Sequence, residues 1–392
     1  MKKILALFLA LALCLSVMGA VAEGAKPADI EDTMTSADGT YVVAFVTDVG
    51  QLKDKSFNEG TWNGVKLFAH DKGLSYKYYQ PANGNQATDD DRFDAMKAAA
   101  EAGAKVIVAA GWMQGAALEK AAKAYPDVKF VFIDGWAIGN NAEEIAAANE
   151  VLKAANVNVV VTAGNMRNVI GVSYKEEQCG YLAGYAAVMD GYEKLGFSGG
   201  GGGTNPACMR YGYGYIQGAN DAAAKLGKTV EIKFTWAYGA AFAASPELQT
   251  LISGWYETGT EVVFACGGSI FQSIAAAASA NDGAVIGVDV DQSYESETVI
   301  TSALKGLSEG TYQMLERAFD GTWEGGGVSL GAAEDAVGLP VDTWSLEGFT
   351  VADYEAMKAA IVSGEIEIDD AAAEGDPSVK GPWSNAVVDY IQ

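Results

Sequence analysis

Short apolar runs alternate with longer amphipathic stretches along most of the chain. Runs without polar positions, such as Val106-Ile-Val-Ala-Ala110, are typical of strands buried on both faces of a sheet. The stretches between them repeat apolar residues at helical spacing. Strands are predicted at 41–47, 75–80, 105–110, 129–133, 157–163, 169–173, 195–200, 229–235, 261–265, 284–288 and 298–302. Helices are predicted at 57–72, 89–102, 114–124, 143–153, 176–190, 206–226, 245–258, 269–281, 307–320 and 353–363.

The alternation of strands and helices predicts parallel sheets with right-handed crossover connections. One sheet of this size would be unusual, and the turn residues divide the elements into two runs. The expected fold class is therefore α/β, with two Rossmann-like lobes joined by a hinge. Lobe 1 is predicted to comprise 41–164 with 292–325, and lobe 2 to comprise 165–291 with 340–392. The pattern from Gly321 onward is irregular, and it assigns no element to 370–392.

The N-terminus has the features of a secretory signal peptide. Two lysines precede an apolar run at 4–18, and an Ala-x-Ala sequence ends at Ala22. Residues 1–22 are therefore expected to be removed, which makes the protein exported and places it at the outer face of the cell membrane or in the periplasm. Cys14 follows a leucine inside the apolar run, where lipoprotein processing prefers a small residue, so lipid anchoring there is not expected. The small polar residues of 23–40 predict a flexible tether.

Composition narrows the classes of partner and chemistry. The 392 residues carry a formal net charge of −25, which repels nucleic acid phosphates and anionic membrane surfaces. The single histidine, His70, has no partner at metal-binding spacing, so neither a zinc site nor histidine-based catalysis is expected. No catalytic residue, metal or cofactor is predicted. Beyond the signal peptide the cysteines are Cys179, Cys208 and Cys266; the sequence allows one disulfide between the first two, and Cys266 suits a core position.

The loop after the first strand carries the densest group of candidate binding residues. Asp48, Asp54, Phe57 and Asn58 lie between the end of a buried strand and the start of a helix. In an open α/β sheet the ligand crevice lies beyond the carboxyl ends of the strands. A ring offers a flat apolar platform, and amide and carboxylate groups offer directional donors and acceptors. The loop is therefore predicted to bind a ligand, although Phe57 and Asn58 also suit the first turn of an ordinary helix.

Two further candidates follow the third and fourth strands. Trp112 comes directly after one strand end, where it either caps the sheet or contacts a ligand. Asp134 follows an apolar run, and a carboxylate in such surroundings needs a partner. A ligand donor and the N-terminus of the next helix are both suitable partners for it.

The second half of the chain offers candidates for the opposite side of the crevice. Residues 199–203 are consecutive glycines; a phosphate-binding loop would continue into Lys-Ser/Thr, so a tight turn is expected instead. Trp236 and Phe242 follow the next strand, and either could supply a second ring over a flat ligand. Gly268 lies just past a strand end, where the backbone must turn sharply or approach a ligand.

A carboxylate pair and a lysine follow the last two strands. Asp289 and Asp291 stand at alternate positions, which share a face in an extended chain. A metal site and a hydrolytic pair are weaker interpretations, because no further ligand cluster is nearby. The favoured interpretation is a clamp in which a carboxylate accepts hydrogen bonds from vicinal hydroxyls. Lys305, one strand later, can neutralise Asp289 and donate to the same sugar.

These motifs occur in the order found in one known family. The sequences Asp-Lys-Ser-Phe-Asn58, Gly-Val-Asp289-x-Asp-Gln and Thr-Ser-x-x-Lys305 resemble the basic membrane protein family. Its members are the nucleoside-binding lipoproteins of bacterial ABC importers, similar to purine nucleoside receptor A. The resemblance extends from about residue 41 to 307 and implies the architecture of a type I periplasmic binding protein.

The resemblance also implies roles for residues. Phe57 would stack on a purine, and Asn58 with one of the two loop aspartates would bond the ligand's polar atoms. Asp289 and Lys305 would bind ribose. The implied partners are a purine nucleoside and the permease and ATPase subunits of an importer. The protein would act as a monomer, bind no nucleic acid and perform no chemistry.

Two alternatives share the same fold: a sugar-binding protein and a ligand-sensing module. A dinucleotide-dependent enzyme is disfavoured, because Gly-x-Gly-x-x-Gly should follow the first strand. The sequence there is Asp-Val-Gly-Gln-Leu-Lys.

Overall fold

The computed structural model describes residues 25–49, 51–138, 166–370, 381 and 383–392. The described strands are β1 (Val43–Val46), β2 (Tyr76–Tyr79), β3 (Val106–Ala110), β4 (Lys129–Ile133), β5 (Val169–Tyr174), β6 (Lys194–Gly199), β7 (Val230–Thr235), β8 (Val262–Cys266), β9 (Ala284–Asp289), β10 (Val299–Lys305), β11 (Gly326–Leu330), β12 (Val337–Gly338) and β13 (Ala386–Ile391). The described α-helices are α1 (Phe57–Lys72), α2 (Asp89–Glu101), α3 (Gly115–Ala124), α4 (Glu176–Met189), α5 (Pro206–Leu226), α6 (Pro246–Glu257), α7 (Ile270–Ala280), α8 (Leu307–Asp320) and α9 (Val351–Ser363).

The strands form two separate sheets, as the α/β prediction required. The first has the order β11-β5-β4-β3-β1-β2, and the second has the order β12-β10-β9-β8-β6-β7-β13. All pairings are parallel except that between β10 and β12. Strands such as β3 and β8 are buried at every position, because helices cover both faces of each sheet. The predicted two-lobe architecture is confirmed.

Three connections cross between the sheets and form the hinge. They run from β5 to α4, from β10 to α8, and from β11 to β12. The crossing segments bond one another: the Lys175 N–H donates to the Leu330 carbonyl at 2.9 Å, and the Gly306 N–H donates to the Ala336 carbonyl at 2.7 Å. The Tyr174 hydroxyl also donates to the Gly306 carbonyl. The carboxyl ends of the strands in both sheets therefore converge beside the hinge.

The predicted lobe boundaries assign two strands to the wrong sheet. Val169–Tyr174 extends the first sheet, although the boundary at 164/165 assigned it to lobe 2. Val299–Lys305 belongs to the second sheet, although the boundary at 291/292 assigned it to lobe 1. The chain crosses after each of these strands rather than before it, and hydrophobic patterning cannot reveal to which sheet a buried strand adds.

The segment predicted to be a flexible tether packs against the first lobe from residue 25 onward. The buried Lys66 ammonium donates to the carbonyls of Pro27 and Ile30 and bonds Asp32 at 2.9 Å. The indole N–H of Trp62 donates to the same carboxylate. A buried ammonium requires acceptors for all its hydrogens, and this segment provides them, so the tether prediction is wrong for these residues.

The edge strands were the elements that the sequence pattern missed. Gly326–Leu330 lies in the segment whose pattern is irregular, and it pairs with β5. Ala386–Ile391, which received no assignment, pairs with β7 along its whole length. The strand predicted at 157–163 and the helix predicted at 143–153 lie outside the described residues.

Glycines allow helices α4 and α5 to pack at very short range. A Cβ at Gly180 or Gly184 would lie about 2 Å from the carbonyl oxygen of Tyr211 or Tyr215. Gly214 and Gly218 on α5 are equally close to the backbone of α4. The small residues of α4 therefore serve helix packing. Among the described helices, none is long and apolar enough to cross a lipid bilayer.

A cavity between the two lobes

A cavity with about 570 Å³ of empty space lies between the two lobes beside the hinge. Its walls come from the strand-end loops of both sheets, as expected for this class of fold. Nine of the eleven predicted site residues line it: Asp48, Asp54, Phe57, Asn58, Asp134, Phe242, Gly268, Asp289 and Lys305. Cys208, Tyr211 and Cys266 are among its other lining residues.

The loop between β1 and α1 is held in place by Asp54 and Asn58. The carboxylate of Asp54 accepts from the backbone N–H groups of Ser56, Asn58 and Glu59, and so caps the first turn of α1. The Asn58 amide donates to Val49 and Asp54, and its oxygen accepts the backbone N–H of Asp48. Both side chains are committed to the loop itself, so they position the wall of the cavity.

Asp48 is the carboxylate of this loop that remains available. One of its oxygens, Oδ1, is buried without a hydrogen-bond partner. The carboxylate lies against Gly111, where a Cβ would come 2.1 Å from Oδ2. Burial raises the pKa of Asp48 to about 7. Of the two aspartates proposed as alternatives, Asp48 is therefore the better candidate for a bond to ligand.

Two phenyl rings reach the cavity, one from each lobe. Phe57 begins α1, and the Lys305 ammonium lies 5.3 Å from its ring centroid. Phe242 comes from the loop after β7 with a positive φ of 54°, and its ring packs on Gly200, where a Cβ would come 2.2 Å from it. Between the two alternatives for a second ring, the structure places Phe242 at the cavity.

Trp236 packs beneath the glycine run and does not line the cavity. Its indole stands edge-on to Phe197 and Phe234, and only 7% of the residue is exposed. A Cβ on Gly199 would come 2.0 Å from this indole. The run at 199–203 is therefore the tight turn that was expected: it lets aromatic rings approach the backbone, and it ends in the Asn205 cap of α5.

A chain of four charges, two of them buried and two partly buried, extends along the hinge side of the cavity. The Lys305 ammonium bonds Asp134 at 2.6 Å and Glu176 at 2.9 Å. The other oxygen of Glu176 accepts from Arg210 Nε at 2.6 Å. Burial opposes the charge on Lys305, and the neighbouring carboxylates outweigh it, so the pKa of Lys305 lies well above its usual value. Burial raises the pKa of Asp134 to about 6, although the ammonium of Lys305 opposes that rise.

Asp289 has different partners from those predicted. Its carboxylate accepts hydrogen bonds from the hydroxyls of Ser56 and Tyr211, whereas the ion-pair partners of Lys305 are Asp134 and Glu176. Burial raises the pKa of Asp289. Each carboxylate oxygen still has a lone pair, so the group can accept from a ligand as well.

The second member of the predicted carboxylate pair, Asp291, is turned away from the cavity. It accepts from the Ser293 backbone N–H and from the Thr343 hydroxyl. The side chains of Asp289 and Asp291 therefore serve different parts of the molecule. No group of three or more metal-binding side chains occurs in the described part of the chain.

Trp112 lies outside this cavity. It borders a neighbouring one, together with Trp136 and Arg210. The three cysteines at 179, 208 and 266 are free and buried, so the disulfide that the sequence allowed between the first two is not formed.

Sequence reasoning missed Glu176, Arg210 and Tyr211. They lie on α4 and α5, for which the sequence predicted helices but no site residue. A buried glutamate at the first position of an apolar helix is a detectable signal, because such a charge needs a partner. The identity of that partner depends on the fold.

The lobes also bond each other around the cavity. The Gln292 side chain donates to the Lys55 carbonyl at 2.8 Å, and the Lys55 ammonium lies 3.3 Å from Glu295. On another side, the Asn85 amide donates to the Ala241 carbonyl at 3.3 Å. The structure therefore has the lobes in direct contact, with the cavity enclosed between them.

Comparison with known proteins identifies the family. The model of the family described as ABC transporter substrate-binding protein, PnrA-like, matches residues 41–372. The chain belongs to this family. Membership in the PnrA-like family makes it a substrate-binding protein, which implies a small-molecule ligand and the permease and ATPase of a transporter as partners.

Individual relatives agree with this assignment. The chain is 26% identical over 374 residues to the ABC transporter nucleoside-binding protein BmpA of Lactococcus lactis, covering 89% of this chain and 95% of that protein. Over 180 residues, 44% of this chain and 50% of the other, it is 33% identical to basic membrane protein B of Borreliella burgdorferi. An uncharacterized lipoprotein of Pyrococcus furiosus is 25% identical over 345 residues, 85% of this chain and 77% of that protein. The expectation that Cys14 carries no lipid gains no support from that name.

Solved structures agree on the fold. A solute-binding protein of an ABC transporter system from Aeropyrum pernix superposes with a TM-score of 0.65 at 23% identity, covering 83% of this chain and 92% of that one. A second, from Conexibacter woesei, has a TM-score of 0.61 at 20% identity, with 84% and 99% covered. The type I periplasmic binding protein fold expected from the sequence is confirmed.

Proposed function

We propose that this PnrA-like protein binds a purine nucleoside in the cavity between its lobes and presents it to an ABC permease. The observation that carries the proposal is the pair of rings Phe57 and Phe242, which reach one cavity from opposite lobes. A purine is a flat ring system that gains from stacking on both faces. The name of the Lactococcus lactis relative, a nucleoside-binding protein, supports the same ligand class.

Asp48 is the proposed partner for the edge of the base. Its unpartnered oxygen is buried in the cavity wall, and a buried acceptor gains from a donor that a ligand supplies. Because its pKa is raised to about 7, the group can also donate when protonated. The ionised carboxylate can accept from an N–H group of a purine, and the protonated carboxyl can donate to a purine ring nitrogen.

Asp289 and Lys305 are the proposed partners for the ribose. Asp289 keeps acceptor capacity beyond its bonds to Ser56 and Tyr211. The Lys305 ammonium has three hydrogens and two carboxylate partners, so one hydrogen remains for a hydroxyl. An acceptor and a donor side by side suit the vicinal hydroxyls of a pentose.

Ligand capture then follows from the two-lobe architecture. A ligand that bonds both lobes stabilises the closed form by the difference between its contacts in the closed and open forms. The inter-lobe bonds of Lys55 and Asn85 add to that closed form. The permease distinguishes closed from open, and no bond of the ligand is broken.

Isothermal titration calorimetry of the mature protein tests this proposal. Inosine, guanosine and adenosine are titrated beside adenine, guanine and ribose. At least one nucleoside should bind, and ribose alone should bind far more weakly because it lacks the ring that stacks. Binding of ribose or other pentoses in preference to every nucleoside would refute the proposal.

Two substitutions distinguish the contacts to the base from the contacts to the sugar. Phe57→Ala should weaken nucleoside and free-base binding alike by about 5- to 150-fold, the equivalent of one stacked base. Asp289→Ala should weaken nucleoside binding more than free-base binding. Phe319→Ala is the matched control, because it removes an exposed phenyl ring remote from the cavity.

A further inference from the structure

A second cavity adjoins the first, and Asp134 lies on the boundary between them. This second cavity opens to solvent and holds about 880 Å³ of empty space at the carboxyl end of the first sheet, on the side of β5 and β11. Both lobes contribute to it, since Arg210 belongs to α5 of the second. Its side chains include two indoles, a guanidinium, a carboxylate and two hydroxyls: Trp112, Trp136, Arg210, Asp134, Ser173 and Ser329.

Trp136 is held rigidly although half of it is exposed. Its ring stands edge-on to Phe132, with 5.0 Å between centroids. A Cβ on Gly115 would come 2.7 Å from the indole, and one on Gly171 would come 2.2 Å from the Trp136 backbone. Side chains at these two positions would displace the tryptophan. With 50% of the residue exposed, the indole is a fixed apolar platform at the wall of a polar cavity.

Arg210 presents unused donors to the same cavity. Its Nε donates to Glu176, which fixes the guanidinium. In the part of the chain that the structure describes, its other two nitrogens make no hydrogen bond, and they carry four N–H groups. Asp134 supplies an acceptor on the boundary, oriented by its ion pair with Lys305.

The charges around this cavity cancel. Arg210 is paired with Glu176, and Lys305 with Asp134, so the chain of four groups is neutral. The protein as a whole carries −25, which disfavours an anion. A ligand here should therefore be uncharged, and it should offer both acceptors for Arg210 and a donor for Asp134.

We propose that the second cavity binds a neutral, hydroxylated ring of the monosaccharide class. The negative face of an indole attracts the C–H face of such a ring, and each hydroxyl can both accept and donate. The fixed guanidinium and carboxylate bind neighbouring hydroxyls. This site is distinct from the nucleoside cavity and does not depend on the function proposed for it.

Titration of the mature protein with D-glucose, D-galactose, D-xylose and D-ribose tests this proposal. Saturation-transfer NMR detects binding, and the tryptophan fluorescence reports on the cavity. At least one sugar should bind at millimolar concentration or below. Trp136→Ala should weaken that binding at least tenfold, and Trp136→Phe, which keeps a smaller ring, should weaken it less.

Phe57→Ala is the matched control. It should leave sugar binding unchanged while it weakens nucleoside binding, and Trp136→Ala should do the reverse. Circular dichroism verifies that each variant is folded. The proposal is overturned if none of the four sugars binds at millimolar concentration, or if Phe57→Ala abolishes sugar binding, since the sugar would then occupy the first cavity. If a purine base binds at the Trp136 site and the sugars do not, the proposed ligand class is also overturned.

Discussion

The two sides of the first cavity are built in different ways. On one side, the loop from Asp48 to Asn58 bonds itself, and its donors and acceptors are at most ten positions apart. On the other side, Lys305 pairs with Asp134, which is 171 positions away along the chain. Glu176 and Arg210 are 34 positions apart. One side is a local structure, and the other exists only when both lobes are folded.

The difference determines which side chains remain available to a ligand. In the loop, the side chains of Asp54 and Asn58 form hydrogen bonds with the loop backbone and with each other. Asp48 retains an oxygen without a hydrogen-bond partner. Along the hinge, buried charges satisfy each other across the fold, and Lys305 keeps one hydrogen. A sequence motif marks both sides as polar, yet it does not separate supporting residues from contacting ones.

The largest effect should come from the non-local side. Glu176→Gln leaves Lys305 and Arg210 short of a buried counter-charge, which should lower the free energy of unfolding by about 3–5 kcal/mol. Chemical denaturation measures this loss. Glu177→Gln is the matched control: burial raises the pKa of Glu177 to about 7, so a neutral group there should cost far less. Equal losses in the two variants would contradict the four-charge chain.

A smaller effect is expected in the local loop. Asn58→Ala removes the acceptor of the Asp48 N–H and two donors, which should lower the free energy of unfolding by about 1–3 kcal/mol. Ligand binding should weaken as well, because Asp48 and Phe57 lose their support. Asn63→Ala on the same helix is the control, since Asn63 is only half-buried and makes no side-chain hydrogen bond to a described residue. A stable Asn58→Ala variant with unchanged affinity would show that the loop is held by other contacts.

The smallest effect is a pH dependence of the unligated protein. Burial raises the folded-state pKa of Asp48 to about 7, above the value of 3.8 typical of an exposed aspartate. As the pH rises, the unfolded chain therefore loses this proton at a lower pH than the folded protein does. The contribution of Asp48 to the free energy of unfolding is present near pH 4 and is lost as the pH rises to about 7. One pKa unit corresponds to about 1.4 kcal/mol, and we expect Asp48 to contribute ~1–2 kcal/mol, because relaxation of the surroundings reduces the effective cost of a buried charge. Denaturation between pH 4 and 8 should show a shallower fall for Asp48→Asn; parallel curves would exclude Asp48 as the source.

Much of the framework could be predicted from the sequence. Fully apolar runs such as β3 and β8, and helices such as α5 with Pro206 and Gly227 at its ends, carry strong local signals. The edge strands β11 and β13 carry weak ones, because a glycine-rich or half-polar segment becomes a strand only by pairing with a neighbour. The sheet to which β5 and β10 belong is likewise a matter of long-range pairing.

The strand-end rule led to residues that line the first cavity, and it did so for a physical reason. Parallel strands bring their carboxyl ends to one edge, so Phe57, Asp134, Phe242, Asp289 and Lys305 converge although they are far apart in sequence. The rule also led to Trp112 and Trp236, which lie at strand ends yet face a different cavity or the core. Side-chain direction after a strand end is set by the packing of the following loop, and no periodicity encodes it.

The sequence by itself therefore determined the order of the central strands and helices, the two-lobe α/β class and the family, because these follow from periodicity and motif order. Only the tertiary structure decided the edge strands, the sheets to which β5 and β10 belong, which aspartate keeps an unpartnered oxygen, which ring faces its counterpart, and that Lys305 pairs with Asp134 and Glu176. Those outcomes depend on distances between groups that folding brings together, and a buried charge accepts whichever partner the fold places within reach.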